Sequence, residues 1–203
     1  LEFDTFVEKL RAEGVNVTVV QDTPDPYTPD SIFPNNWISF HADGTVVLYP
    51  MFAENRRKER KTGVLEAVFN QYNHRLTIDF SPREAENSFL EGTGSMVLDR
   101  AHNICYACLS PRTHSGLVEE WCKMMDYTPV LFDALDGAGK PIYHTNVVMA
   151  VADRYVVICM EAVATEQQKQ LLTQTITGCG KTVVRISFEQ MNSFAGNMLQ
   201  VSS

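Results

Sequence analysis

The chain has 203 residues, 44% hydrophobic and 21% charged, enough to bury the core of one domain or of two small ones. A net charge of −8, with Lys and Arg scattered outside the run 56–61, argues against a nucleic-acid partner. No apolar run approaches the ~18 residues needed to span a bilayer, and the five cysteines, mostly in apolar stretches, read as reduced thiols of a cytoplasmic protein.

Residues 1–13 place Phe3, Phe6, Val7 and Leu10 on one face of a helix that Gly14 stops. A strand is predicted over 15–20, and a Pro-rich loop, QDTPDPYTPD, runs on to Asp30. Strands 37–40 and 45–49 flank a turn at Asp43 and Gly44. One helix is predicted over 55–73, with Val64, Leu65, Val68, Phe69 and Tyr72 as its apolar stripe, and a strand over 75–79. The charges at the start of that helix, Arg56 to Arg60 with Glu54 and Glu59, read as a solvated face.

The same order then recurs. Strands 95–99 and 104–109 flank a turn at 100–103, a helix over 113–125 faces Leu117, Val118, Trp121 and Met125 inward, and a strand covers 129–134 before the loop DGAGK. In the third pass strands 146–151 and 155–160 flank Asp153 and Arg154, a helix spans 165–177 and stops at Gly178, and strand 181–186 closes the unit. Three ββαβ units, 37–186, thus lie in register with hairpin turns about 50–60 residues apart. Residues 197–201 read as the first strand of another unit. The expectation is a single α/β domain, incomplete at both ends, with partial units flanking the three full ones.

Each unit carries polar residues at the mouth of its first strand. In the first, Asp30 stands in PDSIFPNN, with Asn35 and Asn36 just before the strand. In the second, Glu91 sits in LEGTG, where Gly92 and Gly94 permit positive φ and close backbone approach, and Arg112 in SPRT is expected to cap the next helix. In the third, His144 precedes Asn146 and the apolar run VVMAV. A carboxylate, a His and an amide at the centre of a ring suit acid–base chemistry on a cationic substrate, and Arg112 with Arg56 or Arg57 suits a substrate carboxylate. Singly, each has a plainer role: Asp30 forms a turn, His144 is a satisfied histidine, and Asn36 or Asn146 caps backbone. The pair Cys105 and Cys108 is a CxxC inside a predicted strand, with only His114 near it, and reads as structural, without metal or redox function.

On these residues the sequence resembles the guanidine-modifying, amidinotransferase-like superfamily of arginine deiminases, dimethylarginine dimethylaminohydrolases and amidinotransferases. PDSIFPNN is similar to the family's Pro-Asp-x-x-Phe-x-x-Asp segment, LEGTG to its Leu-Glu-Gly-Gly-Asp, and SPRT to its Arg-Thr turn, while His144 stands where the catalytic His does. The stretch DSIFPNNWISFHADGTVVLYPMFAENRRKER is most similar to the bacterial citrulline-utilisation (CtlX-type) hydrolases. The resemblance covers nearly the whole chain. It implies a pentein fold, the five-bladed α/β propeller of ββαβ units.

It also implies hydrolysis at a guanidino carbon, in which a Cys thiolate attacks, His144 serves as acid and base, and Glu91 binds and polarises the guanidinium. Asp30 with Asn36 and Asn146 would contact the substrate, and Arg112 with Arg57 would bind its carboxylate. No metal or organic cofactor is implied, the partner is a small guanidino compound, and a homo-oligomer is left open. The chain departs from the family pattern at Asn35, Asn36, Asn146 and the Gly-Thr-Gly after Glu91. None of the five cysteines lies at a first-strand mouth beside His144, so no nucleophile is assigned and the chain alone is expected to be inactive. A non-catalytic binding protein of the same fold, or an amidinotransferase, remains the alternative.

Overall fold

The computed structural model of the chain describes residues 2–200. Helix α1 (Glu2–Ala12) is followed by an irregular run to a 3-10 turn, Pro34–Asn36. The first unit then comprises β1 (Ile38–Phe40), β2 (Thr45–Leu48), α2 (Glu54–Arg57), α3 (Thr62–Phe69) and β3 (Leu76–Asp79). After the 3-10 segment Ser81–Glu86, the second unit holds α4 (Gly92–Ser95), β4 (Val97–Asp99), β5 (Ile104–Cys108), α5 (Ser115–Met125) and β6 (Thr128–Phe132). The third holds α6 (Thr145–Val148), β7 (Met149–Val151), β8 (Tyr155–Ile158), α7 (Glu166–Gly178) and β9 (Thr182–Arg185), with α8 (Phe188–Asn192) beyond it.

Each unit is one three-stranded sheet of the same pattern: the first two strands pair antiparallel as a hairpin, and the third lies parallel to the second. A parallel neighbour needs a crossover, which the helices supply in all three units. The sequence explains the helix faces. In α5, Leu117, Val118, Trp121 and Cys122 recur at helical spacing and are buried, and they pack on Val47 and Tyr49 of the first unit as well as on Cys105 and Ala107. In α7 the same role falls to Leu172 and Ile176, which join Tyr106, Phe132, Val148 and Ile158. The core is therefore a set of layers between successive units. Polar groups caught between layers are paired: Trp121 Nε1 donates to the Tyr49 hydroxyl at 3.0 Å, and Ser39 Oγ lies 2.7 Å from that hydroxyl and 3.0 Å from His41 Nε2. Burial, followed by the charge of Arg100, pushes His41 down to about 4, so it is neutral there.

Several expectations fail for identifiable reasons. Residues 15–20 form no strand, because no ladder of backbone bonds reaches them. Without a sheet beneath it, α1 buries only Val7; Phe3 and Phe6 are exposed along an open groove of about 750 Å³ between α1 and β1. The helix expected over 55–73 is two helices. Arg56 of the first turns inward to Glu59, and Lys61 between the two reaches the Pro-rich loop, where Nζ donates to Asp22 Oδ1 at 2.5 Å and to the Pro26 carbonyl at 3.1 Å. The stripe Val64, Leu65, Phe69 and Tyr72 packs only at the edge of the small cluster around Trp37 and Met51.

The strands expected from 95 and 146 begin late, each behind a four-residue helical turn. Residues 197–200 form no strand, and Val201 lies outside the described residues. Helix α8 was not expected. Its signal is Ser187 followed three residues on by Gln190, a capping box in which both reciprocal bonds are made.

Candidate active site at the strand mouths

The three lead-in turns, Pro34–Asn36, α4 and α6, have equivalent places in their units, and α4 packs against both of the others. Close packing rests on two glycines. Gly92 has φ +47°, and a Cβ there would stand 2.3 Å from the Asn35 carbonyl oxygen. At Gly94 a Cβ would come within 2.4 Å of Asn36 Nδ2 and 2.8 Å of both Nδ1 and Cε1 of His144. The turns thereby bring Asn36, Glu91 and His144 together from three units, with Glu91 and His144 as the residues that open α4 and α6.

Glu91 and His144 form the centre. His144 Nε2 lies 2.6 Å from Glu91 Oε2, and both side chains are buried, Glu91 at 0% exposure. The other carboxylate oxygen, Oε1, accepts the Phe52 backbone N–H at 3.0 Å. Burial pushes the Glu91 carboxyl up, but His144, the Phe52 amide and Arg112 together outweigh it and hold the group below the ordinary carboxylate value. An ionised carboxylate only accepts, so the Nε2 of His144 carries the proton shared between them.

Supporting bonds fix the frame. The Glu91 amide donates to Ser95 Oγ at 2.8 Å, Ser95 Oγ donates to the Arg112 carbonyl at 2.9 Å, and Thr145 Oγ1 donates to the Ser95 carbonyl at 2.5 Å while accepting from the Cys108 amide at 2.8 Å. Arg112 sits at the rim. Its Nη1 is 3.5 Å from Glu91 Oε2, and its guanidinium lies 5.0 Å from the centre of the Tyr143 ring and 5.9 Å from that of Phe52. Contrary to expectation it does not cap α5; His114 takes the N-cap position.

The remaining candidates divide. Asn36 is buried with its Oδ1 accepting from Arg56 Nη1 at 2.8 Å, beside Gly94 and the His144 ring. Asp30 is half-buried on the loop that Asp22 organises through Lys61, Thr28 and Ser31; its carbonyl takes Arg56 Nη2 at 3.5 Å. Asn146 is half-buried on α6, with no side-chain hydrogen bond among the described residues. Arg57 is committed to backbone: Nε donates to the Met51 carbonyl at 2.9 Å and Nη2 to that of Phe52 at 3.1 Å, with Glu84 3.8 Å away.

Sequence reasoning missed the support beneath these residues. Arg56 and Glu59 are not a solvated face; they are buried at 6% and 2% and joined by two bonds of 2.9 and 3.0 Å. Burial raises the Glu59 pKa, Arg56 opposes this, and the charges of Asp30 and Glu91 add to the rise. The (i,i+3) spacing of Arg56 and Glu59 was the available signal, but it does not distinguish a surface pair from a buried one. Glu84, whose Oε1 accepts the Met51 amide at 2.8 Å and whose carboxylate pairs with Arg60 at 2.8 Å, was missed as well.

The five cysteines are all free, and four are buried. Cys108 is tied to the frame of the pair through its amide, which bonds Thr145 Oγ1. Its own thiol is directed to the Ile142 carbonyl at 3.6 Å, and burial pushes it up to about 11. The centre offers one His and one carboxylate in contact, which is short of a metal ligand set.

A family model described as N,N-dimethylarginine dimethylhydrolase, eukaryotic, matches residues 1–203, and the chain belongs to that family. No curated protein matches it. Among solved structures it is similar to apo ArgZ, an arginine dihydrolase from the ornithine–ammonia cycle in cyanobacteria, with a TM-score of 0.77 and 17% identity over 98% of this chain and 30% of that one. It is similar to an AgrE variant in complex with L-arginine, with a TM-score of 0.76 and 20% identity over 97% of this chain and 27% of that one. A dimethylarginine dimethylaminohydrolase variant carrying an S-methyl-L-thiocitrulline adduct gives a TM-score of 0.64 and 15% identity over 96% of this chain and 67% of that one. The chain thus spans under a third of that ArgZ chain and of that AgrE chain. The fold is the pentein-type α/β propeller, with three of its ββαβ units within the described residues.

Proposed function

We propose that this member of the dimethylarginine dimethylhydrolase family acts in hydrolysis at the guanidino carbon of arginine or a closely related compound. The observation that carries the reading is the buried Glu91–His144 pair, 2.6 Å apart and assembled from two separate units. A carboxylate held ionised in a buried site favours a planar cation, and the imidazole beside it can give a proton to a leaving amine and then take one from water. Asn36 and Asp30 would complete the guanidinium site, Asn146 would offer an uncommitted amide, and Arg112, the half-buried cation at the rim, would meet a substrate carboxylate. Arg57 acts in this reading through the Phe52 backbone instead of through substrate.

The covalent route of the family needs a thiolate, and none of the five cysteines suits it: the thiols are buried or, for Cys179, remote from the pair. We therefore propose that these 203 residues bind the guanidino compound without turning it over. Five unpaired thiols fit a reducing compartment such as the cytoplasm.

Calorimetric titration with L-arginine and with N,N-dimethylarginine tests binding, with Glu91→Gln as the variant expected to lose it. Absence of heat with every guanidino compound tried would sink the guanidino reading. Citrulline release by the chain alone, abolished by a Cys substitution, would overturn the assignment of no nucleophile. Binding without turnover, unaltered by Glu91→Gln, would favour a non-catalytic member of the fold.

A further inference from the structure

We propose that Asp99, His102 and Cys179 form a second site, one that takes a zinc-like divalent transition metal, at the end of the strands away from Glu91 and His144. Asp99 closes β4, His102 lies in the β4–β5 turn, and Cys179 ends α7, so the second and third units each supply part of the set. Their ligating atoms all lie within 4.8 Å of one another, and Asp99 Oδ2 is 3.0 Å from His102 Nδ1. Tetrahedral zinc at its usual bond lengths would hold such atoms roughly 3.3–3.8 Å apart. The His102 side chain is 39% accessible, so rotation of its ring is the movement that would close that gap.

Asp99 is prepared for one-oxygen ligation. Its Oδ1 accepts the amides of Ala101 and His102 at 3.2 and 3.3 Å, which leaves Oδ2 facing His102 and the space toward Cys179. An independent sign of a missing ligand is Tyr106, whose hydroxyl is wholly buried and has no hydrogen-bond partner among the described residues. Tyr106 shares a core cluster with Cys179, and its ladder partner Val97 lies two residues from Asp99 on the same face of the β4–β5 hairpin. A metal-bound water in the fourth position would give it a partner. Of the three ligands, Asp99 borders a solvent-open cavity of about 350 Å³, together with Ala101, Asp153 and Lys181.

The donor set selects the ion. Thiolate and imidazole favour zinc or cobalt over magnesium and calcium, which take oxygen. On binding, the Cys179 thiol loses its proton to solvent and His102 moves its proton to Nε2, freeing Nδ1; the ion loses bound water in exchange. Carboxylate and thiolate then balance the divalent charge. Lys181 is the opposing feature. Its ammonium is 3.4 Å from Asp99 Oδ2, but it is anchored by the carbonyls of Ala152 and Asp153 at 2.8 and 2.9 Å, and without metal it is the counter-ion of Asp99.

The test is titration of the chelator-stripped chain with Co²⁺, followed by displacement with Zn²⁺. One equivalent of Co²⁺ should give a thiolate-to-metal charge-transfer band with tetrahedral d–d absorption. Cys179→Ser should abolish the band. His102→Ala and His102→Gln, both on an exposed turn and checked for fold by circular dichroism, should each weaken binding at least ~10-fold. His74→Ala, at an exposed imidazole of the first unit, should leave it unchanged. No band at one equivalent, a band that survives Cys179→Ser, or affinity indifferent to His102 would each overturn the proposal.

Discussion

Replacing Gly94 by Ala tests the packing that assembles the site. Gly94 is in the helical α4 turn, where Ala is normally favoured by up to about 1 kcal/mol. Here the added Cβ would meet Asn36 Nδ2 at 2.4 Å and the His144 ring at 2.8 Å, so each must retreat by several tenths of an ångström to an ångström. Neither is the loose end of a flexible chain: Asn36 is held by Arg56, itself bonded to Glu59, and His144 is held by Glu91. Overpacking of this kind costs about 1–3 kcal/mol, and the helix preference offsets part of it, leaving a net loss of about 1–2 kcal/mol. For a chain of this size that corresponds to a Tm lower by roughly 2–8 °C. Gly116→Ala in α5, where nothing lies within 4 Å of the new Cβ, is the control and should raise Tm slightly. The assay is thermal unfolding by circular dichroism, paired with the imidazole NMR signals of His144. If Gly94→Ala proved as stable as the parent and left those signals in place, the close approach of the three turns would be refuted.

Other outcomes follow from single contacts. Because the Glu91 carboxyl is held below its ordinary value, the stability it lends is complete above the ordinary carboxylate range and is lost as pH falls through the folded value. Urea unfolding from about pH 7 down to about pH 3 should therefore show a smaller loss for Glu91→Gln than for the parent; equal losses would mean that the pair contributes nothing. Arg57→Ala, which frees the Met51 and Phe52 carbonyls, should weaken guanidino compounds with and without a carboxylate alike in calorimetry, whereas a loss confined to carboxylate-bearing ones would restore Arg57 as a substrate ligand. Trp121→Phe removes the Nε1–H bond to the buried Tyr49 hydroxyl and should lower the unfolding free energy by about 2 kcal/mol in a urea titration. Ser187→Ala breaks the α8 capping box and should cost about 1 kcal/mol, read by the same titration.

The ββαβ order was legible because each of its signals is local. Apolar alternation marks hairpins, a 3.6-residue stripe marks α5 and α7, and three passes in the same phase leave little choice of topology. What was not legible depended on partners. Residues 15–20 have the composition of a strand, yet a strand exists only as part of a ladder, and none reaches them. The turns α4 and α6 were hidden for a related reason: GTGS and TNVV have no helical stripe, and their single turns are fixed by contact with one another.

The site divides along the same line. Glu91 and His144 could be singled out because each stands at the same phase of its repeat, a property of sequence alone, and the structure sets them in contact. Arg56 and Glu59 have an equally regular spacing, and it pointed the wrong way. An (i,i+3) ion pair on a short helix has the same pattern whether the helix faces water or the ring centre, and its energetic meaning reverses between the two. In water the pair is nearly neutral to stability. Buried as found, removing either partner strands a charge beneath Asn36, and Asn36 is the wall against which Gly94 and His144 pack. The geometry of the catalytic candidates therefore depends on an ion pair whose place in the interior is set by the first unit's folding, and no local pattern in residues 54–61 records it.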